Sequence, residues 1–95
     1  MDYRDLRSAL MSKGKTCEDR SGEHVFYFVE IDGKEYRATK ISHSARGQIS
    51  KRVLGAISHQ MRLTNRELRQ FVDCTIDREE WLGLWCQRSA SRRTG

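Results

Sequence analysis

The stretch His24-Val25-Phe26-Tyr27-Phe28-Val29-Glu30-Ile31-Asp32-Gly33-Lys34-Glu35-Tyr36-Arg37-Ala38-Thr39-Lys40-Ile41 decides the fold. From His24 to Ile31 it is dense in β-branched and aromatic side chains, which suit a pleated, half-buried strand. Asp32-Gly33 then supplies the positive φ angles that a type I′ turn demands, and Lys34 to Ile41 is the return strand. If that two-residue turn sets the register, Ile31 pairs with Lys34, Val29 faces Tyr36 and Tyr27 faces Ala38. Val25, Tyr27, Val29, Tyr36 and Ala38 then share one face, and His24, Phe26, Phe28, Arg37, Thr39 and Ile41 the other. Both faces carry aromatics. We expect the first to be the core, because the second contains the histidine and the arginine.

Working outward, Tyr3, Leu6, Ala9 and Leu10 recur at helical spacing after Asp2, an N-cap residue type, with Gly14 where a C-cap belongs; the spacing predicts a helix over 3–13. Thr16, Cys17 and Glu18 read as a short strand and Arg20-Ser21-Gly22 as a turn. Beyond Ser44, Ile49, Val53, Ile57 and Met61 fall four apart with Leu54 beside them, predicting a helix over 46–61 that points Lys51, Arg52 and Ser58 elsewhere. Thr64 with Glu67, and Asp77 with Glu80, are capping-box patterns ahead of Leu68, Phe71 and Val72 and of Trp81, Leu82, Leu84 and Trp85. The tryptophans are expected to pack on the domain's own core, with docking of another protein as the alternative. The expected fold is α+β: a three-stranded antiparallel sheet with helices on one face and additional short C-terminal helices. It forms one domain over 1–87, with a helical extension from 62 and a frayed basic tail over 88–95.

Ninety-five residues, 37% hydrophobic and 33% charged, fit one small domain and exclude multi-domain machinery and a membrane span. Cys17, Cys74 and Cys86 include no C-x-x-C pair, against a disulfide framework or zinc knuckle; Cys74 and Cys86 read as packing residues. The first residues contain acids and no apolar run, so the expected location is the cytoplasm. The net charge of +5 is unevenly spread: no Asp or Glu occurs from Tyr36 through Arg66, while Arg37, Lys40, Arg46, Lys51, Arg52, Arg62 and Arg66 do. A strand running into a helix could align these cations as one ridge for a phosphate backbone; solvation of an amphipathic helix is the plainer alternative. Phe26 and Phe28 beside Arg37 and Thr39 would give an open face able to stack unpaired bases and hold phosphates, although phenylalanines at period two are more often core.

His24 opens the hairpin just after a glycine, where a strand can hold a side chain rigidly yet leave it reachable. Imidazole can take the proton of a ribose 2′-OH at neutral pH, after which that oxygen attacks the adjacent phosphate, and Arg37 or Lys40 could stabilise the developing charge. An ordinary strand histidine is the alternative. His43, between Ser42 and Ser44, could contact phosphate or cap a turn, and His59 reads as a surface side chain. No cysteine or carboxylate stands at metal-ligand spacing from these histidines, so no metal or other cofactor is expected.

Gly22-Glu23-His24-Val25-Phe26-Tyr27 resembles the G-[ST]-H-x-x-[FY] segment of HicA-type toxins, and the order of elements over 3–61 is similar to theirs. Thr39-Lys40-Ile41-Ser42-His43-Ser44, with the helix after it and then Leu63-Thr64-Asn65 and Val72-Asp73-Cys74, also looks like a longer set of HicA-like proteins. The resemblance implies a double-stranded-RNA-binding-domain-like α-β-β-β-α fold, an mRNA endoribonuclease with His24 as the base, RNA as substrate and a HicB-like antitoxin as partner. Glu23 stands where that family has Ser or Thr, placing an acid beside the reacting site, and the segment beyond Met61 has no counterpart in the minimal toxin. The alternative is a non-catalytic module of the same fold that binds nucleic acid or an acidic protein through Arg37, Lys40, Arg46, Lys51 and Arg52.

Overall fold

Asp2 opens α1 (Tyr3–Ser12) by accepting a hydrogen bond from the Arg4 amide, and Leu6, Ala9 and Leu10 are its buried stripe. The strands β1 (Cys17–Ser21), β2 (His24–Ile31) and β3 (Lys34–Ser42) follow, then the helices α2 (Lys51–Gln60), α3 (Asn65–Val72) and α4 (Arg78–Thr94). Over the described residues the chain is thus α+β, with one antiparallel sheet in the order β1-β2-β3 and four helices. The computed structural model describes residues 1–94, with side chains described through residue 89.

The hairpin closes as expected, with Ile31 paired to Lys34 and with Asp32 and Gly33 at φ +52° and +80°. Its register then departs from the expectation. Val29 faces Tyr36 and Phe28 faces Arg37, but Tyr27 faces Thr39 rather than Ala38. Ala38 is the extra residue of a β-bulge, and Ala38 and Thr39 are consecutive and both buried. A strand with one residue inserted exchanges its faces beyond that point. Thr39 and Ile41 therefore belong to the core rather than to the open face, and Lys40 lies on the open face opposite Phe26. The Thr39 hydroxyl is satisfied inside by donating to Gln60 Oε1 on α2 at 2.7 Å.

Several boundaries differ as well. Strand β1 runs through Ser21, and the turn is Gly22-Glu23, with Gly22 at φ +60° and Ser21 paired to His24. Helix α2 begins at Lys51, not residue 46, because residues 47–49 pair with the chain start: the Tyr3 amide donates to Gly47 O, the Ile49 amide donates to Met1 O, and Gly47 holds φ +76°. Ser50 supplies the cap. Ser58 is buried, donating to the Leu54 carbonyl and to Asn65 Oδ1.

The core lies between one face of the sheet and the helices. Val25, Tyr27 and Val29 of β2 and Ala38 and Ile41 of β3 meet Leu6 and Leu10 of α1, Leu54 and Ile57 of α2, Leu68 and Phe71 of α3, and both tryptophans of α4. Tyr36, expected in the core, is half-buried at its edge, with its ring centroid 6.3 Å from that of Trp85. Trp81 is fully enclosed, 5.2 Å from the Phe71 ring, and its indole N–H donates to Met61 O at 2.9 Å. The tryptophans serve this domain's own packing. Cys74 and Cys86, expected to pack, are exposed. The expected tail departs too: Arg88 lies within α4 and forks onto both carboxylate oxygens of Glu67 on α3. The side chains of residues 90–95 lie outside those described.

Candidate nucleic-acid interface

Strand alternation leaves His24, Phe26 and Phe28 on the sheet face away from the core, each half-buried. They form a ladder along β2, with ring centroids 6.3 Å apart for His24 and Phe26 and 6.5 Å for Phe26 and Phe28, the planes tilted by 48° and 32°. The Arg37 guanidinium lies over the Phe26 ring, 5.6 Å from its centroid. Arg37 and Lys40 are separated by three positions, which in a regular strand puts them on opposite faces. The bulge at Ala38 brings both to the open face, opposite Phe28 and Phe26 respectively. His24 pairs with Ser42, so Lys40 is its diagonal neighbour across the strands.

Charge on this face is polarised. On the β1 side Cys17, Asp19 and Ser21 flank the ladder; on the β3 side Arg37, Lys40 and Ser42 do. At the Asp32-Gly33 end Glu30 faces Glu35. A polyanion laid on the aromatics is therefore attracted along β3 and repelled from the hairpin tip and from β1, while Glu23, exposed in the turn beside His24, opposes it at the other end. Among the described residues the ion pairs are Arg20 with Glu18 and Arg88 with Glu67; Arg37, Lys40, Arg46, Lys51 and Arg52 are in none.

The remaining expected contacts do not extend this strip as a single ridge. His43 is exposed in the turn after β3, its amide donating to Glu23 O at 2.7 Å. Arg46 lies with Asp2, Tyr3, Arg4, Arg7 and Gly47 around a cleft of about 380 Å³ at the start of α1, and Lys51 and Arg52 are exposed on the first turn of α2. The cations thus fall into two groups, one on the open sheet and one where α1 and α2 begin. Sequence reading passes over Arg4 and Arg7 because they lie among acids outside the acid-free segment; the α1 helical period, which puts them three apart on neighbouring positions, is the available signal. Arg7 reaches across to the sheet end, donating to Ser42 O at 3.2 Å and Ala45 O at 3.0 Å.

Beneath the sheet, Tyr27 has its phenol pushed above the ordinary value, first by burial and then by the nearby Glu18 carboxylate, to which it donates a hydrogen bond. This phenol faces the core side, away from the ladder. Among the described residues no group of three or more His, Cys, Asp and Glu side chains could hold a metal ion. No protein-family model, curated protein or solved structure matches the chain.

Proposed function

We propose that the open sheet face binds RNA and that His24 cleaves it as a general base, in the manner of a HicA-like mRNA endoribonuclease. One observation carries the reading: an accessible histidine ends an aromatic ladder flanked by two cations that are in no ion pair among the described residues. Phe28 and Phe26 stack unpaired bases, which is worth about 1–3 kcal/mol per base in such sites. Arg37 and Lys40 hold the backbone on the β3 side. His24 takes the 2′-OH proton; the 2′-oxygen attacks the adjacent phosphorus as the P–O5′ bond breaks; the 5′-oxygen takes a proton from solvent water and the imidazolium returns its proton to solvent, giving a 2′,3′-cyclic phosphate and a 5′-hydroxyl. Lys40, diagonal to His24, stabilises the charge gathering on the phosphoryl oxygens.

The element order α1-β1-β2-β3-α2 supports the double-stranded-RNA-binding-domain-like reading of the fold. A HicB-like antitoxin and a cytoplasmic site of action belong to the same proposal. The test is incubation of a long RNA with wild type and with His24→Ala, in EDTA. Wild type is expected to cleave and the variant to bind with near-equal affinity without cleaving. Equal cleavage by the two would remove His24 from the mechanism. The second reading, binding without cleavage, is favoured by Glu23, an acid in the turn beside His24, which disfavours the approach of a phosphate; salt-dependent binding with intact RNA from both proteins is its signature.

A further inference from the structure

The cleft at the start of α1 is built by two stretches of chain. Arg4 and Arg7 come from α1, Arg46 and Gly47 come from the loop after β3, and an antiparallel bridge between Asp2 and Gln48 holds the two together. Three arginines line this space against one carboxylate, and that carboxylate, Asp2, is already accepting a hydrogen bond from the Arg4 amide. None of the three arginines is in an ion pair among the described residues. Three arginines around a single carboxylate leave the cleft with an excess of positive charge, and an entering anion offsets that excess. The same bridge places Lys51 and Arg52 three and four residues beyond Gln48, at the start of α2, so the field around the cleft is positive on that side also.

The cleft adjoins the end of the sheet that carries His24. Arg7 holds the carbonyls of Ser42 and Ala45, and Ser42 is the strand partner of His24. A nucleotide chain attracted along β3 and repelled from the hairpin tip leaves the sheet where these arginines begin. We propose that the Arg4–Arg7–Arg46 cleft is a phosphate site for the RNA backbone beyond His24, so that the bound strand turns the β3 corner from the open sheet onto the starts of α1 and α2. The inference rests on the sheet-face reading above for its direction, and on the arginine cluster for its chemistry.

The test measures binding of a fluorescent, unstructured RNA of about 12 nucleotides, with 2′-O-methyl riboses that cannot be cleaved, across a salt series. Wild type is compared with R4Q/R46Q and with F26A/F28A. Arg7 is left in place because it braces the sheet end, and Arg4 and Arg46 are exposed, so R4Q/R46Q should melt with wild type. The double arginine variant is expected to bind about tenfold more weakly, with the log–log salt slope reduced by about 1.4, or about 0.7 for each phosphate of a single strand that is no longer neutralised. Unchanged affinity and slope in R4Q/R46Q, with binding abolished in F26A/F28A, overturns this inference and keeps the sheet-face reading. Weakening in R4Q/R46Q alone keeps the anion cleft and overturns the sheet-face reading, and absence of binding by wild type overturns both.

Discussion

Glu67 shows how much one side chain can organise. One carboxylate oxygen accepts the Thr64 amide at 2.8 Å, completing the capping box that starts α3, and the two oxygens together receive the Arg88 fork from α4. The Arg88 hydrogen bond is the main reason its carboxyl falls from 4.5 to about 2, with the Thr64 amide and the arginine charge adding to it. A depressed carboxyl stabilises the fold fully above its unfolded value and loses that contribution as pH falls toward the folded one. Both partners are partly exposed, so Glu67→Gln should cost about 1 kcal/mol at pH 7. That gap should close in thermal melts as pH falls from 4.5 toward about 2. An equal gap at both ends of the range would mean that the pair contributes nothing through its charge. The capping box is legible as Thr64 followed by Glu67; its arginine is not, because a separation of twenty-one positions carries no local signal.

At the scale of elements, Gly14 and Ala38 show where periodicity misleads. The sequence pattern puts Gly14 at a C-cap, a place for positive φ. The positive φ belongs to Lys15, at +49°, and Gly14 is needed for space: a Cβ there would lie 2.9 Å from Leu10 O, 3.2 Å from Trp81 and 3.3 Å from Phe71. Gly14→Ala should therefore destabilise by about 1–3 kcal/mol through crowding between α1, α3 and α4, measured by urea denaturation; a stabilised variant would refute the close approach. The Asp32-Gly33 turn is readable because its backbone demand is local. The bulge at Ala38 is not, because it answers to packing: burying Ala38, Thr39 and Ile41 together under the helices fixes it. The proposed binding strip depends on that bulge, since it is what sets Lys40 on the same face as Arg37.

For the whole molecule, the segment beyond Met61 is part of the single core. Trp81 sits between Phe71 and Trp85, Trp85 meets Tyr36 on β3, and Arg78 donates to Gly14 O and Glu30 O, fastening α4 to the sheet side. Trp81→Ala should cost about 3–5 kcal/mol and lower one shared transition, seen alike by far-UV circular dichroism and tryptophan fluorescence. Two separate transitions would show that the C-terminal helices fold apart from the sheet. Local chemistry in the chain determined the helix caps, the hairpin turn, the aromatic and β-branched strand and the acid-free basic segment, because each is a property of neighbouring residues. Only the tertiary structure decided the face on which Lys40 stands, the burial of Thr39 and Ile41, and the gathering of Arg4, Arg7 and Arg46 around one cleft. Those depend on which surfaces the helices cover and on contacts between residues far apart in sequence, and there packing overrides the strict alternation of a lone strand.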